Sequence, residues 1–168
     1  MGIKIIFFKW FGQPYYKDLP FGLLVANWFF QRILRINSEV PFLVNYTSRV
    51  KGYENMQISK DVFASFTNSG GLYIVAFDGG VIKIDERTII APNVVINNAN
   101  HDLENRDEHH VKNISIGSNC WIGANSVILG GTVLGNNVTV AAGSVVNKEF
   151  PDNVVIGGIP AKIIKTLK

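Results

Sequence analysis

The sequence counts in sixes. From Ile116 it divides into the blocks IGSNCW, IGANSV, ILGGTV, LGNNVT, VAAGSV and VNKEFP, each opened by an aliphatic residue: Ile116, Ile122, Ile128, Leu134, Val140 and Val146. A small residue or a valine holds fifth place in the first five: Cys120, Ser126, Thr132, Val138 and Ser144. Upstream, IDERTI, IAPNVV and INNANH follow the same rule from Ile84, Ile90 and Ile96. An earlier ISKDVF at Ile58 opens the array, with the register blurred between Ala64 and Lys83. A helix repeats every 3.6 residues and a strand every 2, so neither alone gives six. One short strand plus a turn does, and three such sides close a triangular coil of about eighteen residues. The opening aliphatic then points into the prism, and the fifth residue is small because it fills a tight place beside a corner. Gly, Asn and Asp between them relieve a corner backbone that needs positive φ. Successive coils stack about 4.8 Å apart by backbone pairing.

The period fails once. Ile96 to Ile116 spans twenty residues, fourteen more than a block, and all three histidines of the protein, His101, His109 and His110, fall inside this gap. A stacked coil cannot absorb the extra chain, so it leaves the prism as a polar loop over residues 101–113. The repeats themselves carry aliphatic and small side chains with no group that accepts a proton near neutrality. A loop on a rigid scaffold supplies one.

Close to half of the 168 residues are hydrophobic and about a sixth are charged, so the chain buries a core. The single cysteine, Cys120, excludes an internal disulfide framework and, at an inward small position, is a poor nucleophile. Charge is uneven: residues 1–50 hold six Lys or Arg against two acids, +4, which leaves −1 for the remainder of a net +3. No basic run follows a nucleic-acid backbone, which argues against nucleic acid. MGIKIIFFKWFG is no convincing signal peptide, because Lys9 cuts its apolar run and no small-residue cleavage site follows. FGLLVANWFFQRILRI is interrupted by Asn27, Gln31, Arg32 and Arg35 before it reaches the length of a membrane span. It reads as an amphipathic helix starting near Asp18-Leu19-Pro20, capped by the carboxylate, with Trp28, Phe29, Ile33, Leu34 and Ile36 on its apolar side. That helix either covers an end of the core or a subunit contact, or lies peripherally in a membrane interface. The division expected is an N-terminal helical and extended segment, 1–57, and a repeat domain, 58–168, with a C-terminal tail.

The segment WIGANSVILGGTVLGNNVTVAAGSVVNKEFPDNVVIGGIPAKIIK resembles the hexapeptide-repeat acyltransferases, a left-handed parallel β-helix family, and within it the sugar O-acetyltransferases. The resemblance covers roughly residues 58–168, and the N-terminal helix followed by RINSEVPFLVNYTSRVKG is most similar to capsule and surface-polysaccharide members. It implies a mainly β fold, a homotrimer of parallel prisms, and acetyl-coenzyme A bound between neighbouring subunits. It also implies a cytoplasmic enzyme, with peripheral membrane association through the N-terminus as a further expectation.

Acetyl transfer to a hydroxyl needs a base for the hydroxyl proton and donors for the charge on the carbonyl oxygen. In the family the base is a histidine at the start of this loop, and the matching residue in NANHDLEN is His101. His109 and His110 lie past it and read as solvated or acceptor-facing. Three histidines crowded into ten residues do not suit a zinc site, and no metal is expected. The resemblance places the oxyanion donor at the backbone N–H of Ala124. It puts Trp121 near the active-site cleft and Ala142 in the groove for the pantetheine arm. The cofactor phosphates would meet Lys162, Lys165 and Lys168, at the first two of which similar enzymes tend to carry arginine, with Lys148 as a weaker member of the set. Lysine keeps the charge and loses the planar fork. On the acceptor side stand Asp78 in AFDGG and Asn100. Asn97, Asn98 and Asn100 read equally as corner residues that bond the backbone. Two alternatives stay open: another small acceptor, such as an amino sugar or xenobiotic, and a non-catalytic binding or assembly module.

Overall fold

The computed structural model describes residues 11–168. Its strands run in chain order β1 (Arg49–Lys51), β2 (Met56–Ile58), β3 (Tyr73–Val75), β4 (Ile82–Ile84), β5 (Ile89–Ile90) and β6 (Val95–Asn97). Next come β7 (Ala99–His101), β8 (His109–Val111), β9 (Ile114–Ile116), β10 (Trp121–Ile122), β11 (Val127–Leu129) and β12 (Val133–Leu134). The last are β13 (Thr139–Val140), β14 (Val145–Val146), β15 (Glu149–Phe150), β16 (Val154–Gly158) and β17 (Ala161–Thr166).

Three flat faces result. The first is β1-β3-β6-β11-β14, the second β2-β4-β9-β12-β15, and the third β5-β10-β13-β16-β17. The chain visits the first, second and third faces in turn, and all pairings within them are parallel except the closing β16–β17 pair. The aliphatic that opens each block stacks on its counterpart one coil away. On the first face the column is Val50, Ile74, Ile96, Ile128 and Val146. On the second it is Ile58, Ile84, Ile116, Leu134 and Phe150, and on the third Ile90, Ile122, Val140 and Ile156. Apart from half-buried Ile58, every one of these side chains is buried. Parallel pairing thus starts at Arg49, upstream of the boundary expected at residue 58. Val50 already stands in the first column, but the segment after it departs from the six-residue count.

The small fifth residues are buried beside the corners, and their hydroxyls bind carbonyls that the tight turn would strand. Ser126 Oγ donates to Ala141 O at 3.1 Å and Thr132 Oγ1 to Val146 O at 3.0 Å. Five corner asparagines, Asn93, Asn119, Asn125, Asn137 and Asn153, adopt φ between 57° and 59°, a region that favours Asn after Gly. Asn119, Asn137 and Asn153 also form a side-chain ladder up one edge, with bonds of 3.1 and 2.8 Å. Truncating a residue of the inner columns leaves a cavity between fixed neighbours. Ile122→Ala is expected to cost about 3 kcal/mol, read as a lower urea midpoint at constant slope and constant protein concentration.

In the first coil a helix, α2 (Phe63–Asn68), stands where the third face would begin, and fully buried Phe66 closes the prism. Ser69 Oγ ties it to Ile90 O at 2.7 Å. The long N-terminal helix, α1 (Phe21–Arg32), lies on this end. Two sequence expectations for it are corrected. Its N-cap is Pro20 with no side-chain cap bond, so Asp18 does not cap it. Its inner side is Leu24, Asn27 and Gln31, with Trp28 packed partly against Leu24, Leu43 and Tyr16. Phe29, Ile33 and Leu34 face outward, with 44%, 55% and 50% of their surface exposed. The reason lies in the following chain, which runs through turns and bends from 36 to 42 and joins no strand ladder before Arg49. Gln31 Nε2 donates to the carbonyls of Asn37, Val40 and Phe42 while its Oε1 accepts from Val44 N–H. Asn27 bridges Thr67 O and Tyr46 N–H at 3.0 Å each. Satisfying buried backbone outweighs burying three side chains that have solvent access. No helix among the described residues is long and apolar enough to cross a membrane.

Candidate active site

Between β6 on the first face and β9 on the second, the fourteen extra residues rise as a β-hairpin. β7 and β8 pair antiparallel, setting Ala99 opposite Val111, Asn100 opposite His110 and His101 opposite His109. The hairpin is rooted in the prism by Asn98, fully buried, whose Oδ1 accepts from Phe77 N–H at 2.8 Å and whose carbonyl accepts from Lys112 N–H at 2.8 Å. Of the three asparagines read as corner candidates, Asn98 is the anchor. Gly130 is needed beneath it, since a Cβ there would come within 2.6 Å of Asn98 O.

The geometry of His101 decides its chemistry. Its Nδ1 lies 2.7 Å from the carbonyl oxygen of Arg106 across the hairpin tip. A carbonyl only accepts, so Nδ1 carries the proton, and in the neutral ring Nε2 keeps a free lone pair. The ring is flanked by His109, 4.3 Å away between centroids, and Phe77 stacks on the far side of His109 at 5.2 Å. His110 is engaged as well: its Nε2 is 2.6 Å from Asp102 Oδ2. The other oxygen of Asp102 accepts from the N–H groups of Glu104 and Asn105 at 2.8 and 2.9 Å. The Asn105 N–H, His110 and the Glu104 N–H together hold the Asp102 carboxyl down to about 2. Asp102 is therefore a fixed anion throughout the range in which an imidazole titrates, and it ties the tip to β8. Asn100, Leu103, Arg106, His110 and Lys112 join His101 around one cleft.

Asp102, Arg106 and Phe77 escaped the sequence reading. Asp102 had a signal, since an Asp two and three residues before its amide partners is the pattern of a side-chain turn. The carbonyl of Arg106 had none, because a main-chain acceptor leaves no trace in residue type.

The remaining candidates fall elsewhere. Asp78 sits on the same edge of the prism as the hairpin, one coil earlier, but its carboxylate is bound to Asn55 Nδ2 at 2.8 Å and it does not line the His101 cleft. Lys148 is also on this edge, over the Phe150 ring at 5.4 Å. Ala124 and Ala142 occupy a different edge, between the third and first faces, one coil apart. Gly143 N–H donates to Ala124 O at 2.9 Å, while the N–H groups of Ala124 and Ala142 donate to nothing among the described residues. Gly123 keeps that edge tight, since a Cβ on it would meet Ala142 N at 2.7 Å. Lys162 pairs with Gly157, which itself abuts Ala141, so this lysine reaches the same edge, with Lys165 further along β17. Trp121, 54% exposed, projects from the third face beside Ile89 and Thr139. One chain thus brings Asn100 and His101 together and holds Ala124, Ala142 and Lys162 on a separate edge. Cys120 is buried, and burial pushes its thiol up, away from nucleophilic use. Among the described residues no three His, Cys, Asp or Glu side chains converge as a metal would require.

The family model described as bacterial transferase hexapeptide (six repeats) matches residues 113–148. A crystal structure of a hexapeptide-repeat-containing acetyltransferase from Vibrio cholerae O1 biovar eltor, complexed with acetyl coenzyme A, is 30% identical. It superposes with a TM-score of 0.52 over 72% of this chain and 68% of that one. The chain belongs to the hexapeptide-repeat acetyltransferase family. Galactoside O-acetyltransferase of Escherichia coli K12 is 32% identical over 77% of this chain and 60% of its own length. A protein of the same strain, provisionally named a lipopolysaccharide biosynthesis O-acetyl transferase, is 35% identical over 60% of this chain and 68% of its own. This member of the family therefore spans about 60% of the length of the first of these relatives.

Proposed function

We propose that this chain is an acetyl-coenzyme A-dependent O-acetyltransferase that acetylates a sugar hydroxyl in surface polysaccharide assembly. The observation that carries the reading is His101. The prism is otherwise without a neutral proton acceptor, and the excursion between β6 and β9 presents an imidazole whose Nδ1 is pinned and whose Nε2 keeps its lone pair. In the mechanism, Nε2 takes the proton of the acceptor hydroxyl as its oxygen attacks the thioester carbonyl. The new C–O bond forms, the C–S bond breaks, the thiolate leaves, and His101 returns the proton to it. No acyl-enzyme is needed, which agrees with the burial of Cys120.

The donor fits the other edge. Its pantetheine arm carries amides, and part-buried Ala124 and exposed Ala142 offer two N–H groups that donate to nothing among the described residues. The Ala124 N–H is the candidate donor to the carbonyl oxygen. Exposed Lys162 and Lys165 are placed for the phosphates as point charges. Asn100 lines the base's cleft and is the stronger acceptor candidate, since the carboxylate of Asp78 is held by Asn55. Because base and donor edges lie apart on one chain, a complete site requires a neighbour. A threefold ring of parallel, left-handed prisms would set the hairpin edge of one copy against the Ala142 edge of the next. Relatives named for galactoside and lipopolysaccharide acetylation support a sugar acceptor. A cytosolic donor places the reaction in the cytoplasm.

The test is calorimetric titration with acetyl-coenzyme A, followed by labelled donor offered with nucleotide sugars and lipid-linked oligosaccharides. Donor binding and labelled sugar ester are expected. A chain that binds no donor at millimolar concentration would be a β-helical module of another kind.

A further inference from the structure

The outward side of α1 is not accounted for by acetyl transfer. Phe21, Val25, Phe29 and Ile33 recur every four residues along it, exposed by 58%, 40%, 44% and 55%, and Leu34 extends the stripe at 50%. Four-residue spacing puts them in one row on the helix. At one end of the row Lys17 is solvent-facing, 4.0 Å from the carboxylate of Asp18, and at the other stands exposed Arg35. The chain arrives at the row's start, where the Phe11 ring lies 5.8 Å from that of Phe21. The ten residues before Phe11 in sequence include Ile3, Ile5, Ile6, Phe7, Phe8 and Trp10, with Lys4 and Lys9 and no acid. An apolar stretch with two lysines and no acid is thus joined in sequence to the exposed apolar stripe of α1.

We infer that this face docks on an anionic phospholipid bilayer surface. Aromatic and aliphatic side chains enter the headgroup boundary while flanking Lys and Arg meet lipid phosphates, as an interfacial helix requires. Charge decides among occupants. The segment 1–50 carries +4, whereas the rest of the chain is at −1. A second copy laid on the stripe would bring like charges together. The inference stands apart from the proposed chemistry, since binding needs neither donor nor acceptor.

Vesicle flotation of the full chain tests it, using phosphatidylcholine alone and phosphatidylcholine with about a third phosphatidylglycerol. The protein is expected to float with the anionic vesicles, to stay down with neutral ones, and to be released in about 1 M salt, where screening shrinks to ~3 Å. Phe29→Ser with Ile33→Ser is expected to lower partitioning about tenfold or more, with an unchanged circular dichroism spectrum and melting point. Val133→Ser, an exposed aliphatic of the second face, serves as the control and is expected to leave flotation intact. Absence of flotation on anionic vesicles, or equal flotation of the double variant, would overturn the inference. So would light scattering that shows the double substitution splitting an oligomer, which would assign the stripe to a second copy.

Discussion

His101→Ala is expected to lower turnover about 10²–10⁴-fold, the range a positioned general base contributes, while the calorimetric affinity for acetyl-coenzyme A stays within about twofold. The separation of the two readouts follows from the fold. His101 is exposed on a hairpin that leaves the prism between the first and second faces, and the small-residue edge is built by other strands. Removing the imidazole takes away the acceptor for the hydroxyl proton and touches no backbone in the donor edge. The ring's bond to Arg106 O and its contact with the His109 ring are lost, and the β7–β8 pairing with its Asp102-centred tip remains. His101→Gln is not expected to rescue, since an amide fills the place and bonds the carbonyl without accepting a proton near neutrality. If chemistry were limited elsewhere, turnover would fall by less than about tenfold.

Ala142→Trp is expected to reverse that pattern, abolishing measurable donor binding while leaving the fold and the hairpin intact. Ala142 is an exposed corner residue between β13 and β14, so a large side chain has room in the isolated chain. It would stand across the edge that carries the N–H groups of Ala124 and Ala142, which donate to nothing among the described residues. Loss of two such bonds together with the groove is expected to weaken binding by about 10²-fold or more. The melting point should change little, because no inner column is disturbed. An Ala142→Trp protein that still bound acetyl-coenzyme A normally would move the donor away from this edge.

Much of the architecture was legible because it is a local rule repeated. Each block needs only an inward aliphatic and a small corner residue, and the columns of Ile96 on Ile128 and Ile122 on Ile90 follow once a three-sided coil is assumed. The excursion was legible as a loop from the broken count, while its antiparallel pairing from Ala99 to Val111 was not. What stayed hidden was set by partners distant in sequence. Asn27 and Gln31 read as interruptions of an apolar helix and are instead its buried side, because the irregular chain from Asn37 to Tyr46 needs their amides. Phe29, Ile33 and Leu34, apolar enough to pack, are the ones turned out. At the site, residue type pointed to His101 through resemblance, whereas its fixed tautomer depends on where the Arg106 carbonyl lands, and the stacking of Phe77 on His109 joins residues on separate coils.

The central claim is that base and donor groove belong to different chains of one assembly, and mixing the two inactive variants addresses it. His101→Ala and Ala142→Trp proteins would be unfolded together in equal amounts, refolded, and assayed for thiol release with the acceptor found active. In a threefold ring, a site is whole when its hairpin comes from an Ala142→Trp chain and its donor edge from a His101→Ala chain. Random assembly yields about a quarter of sites in that state. Recovery of roughly that fraction of normal turnover is the predicted result. A mixture as inactive as either parent, with mixed oligomers shown to have formed, would contradict the account.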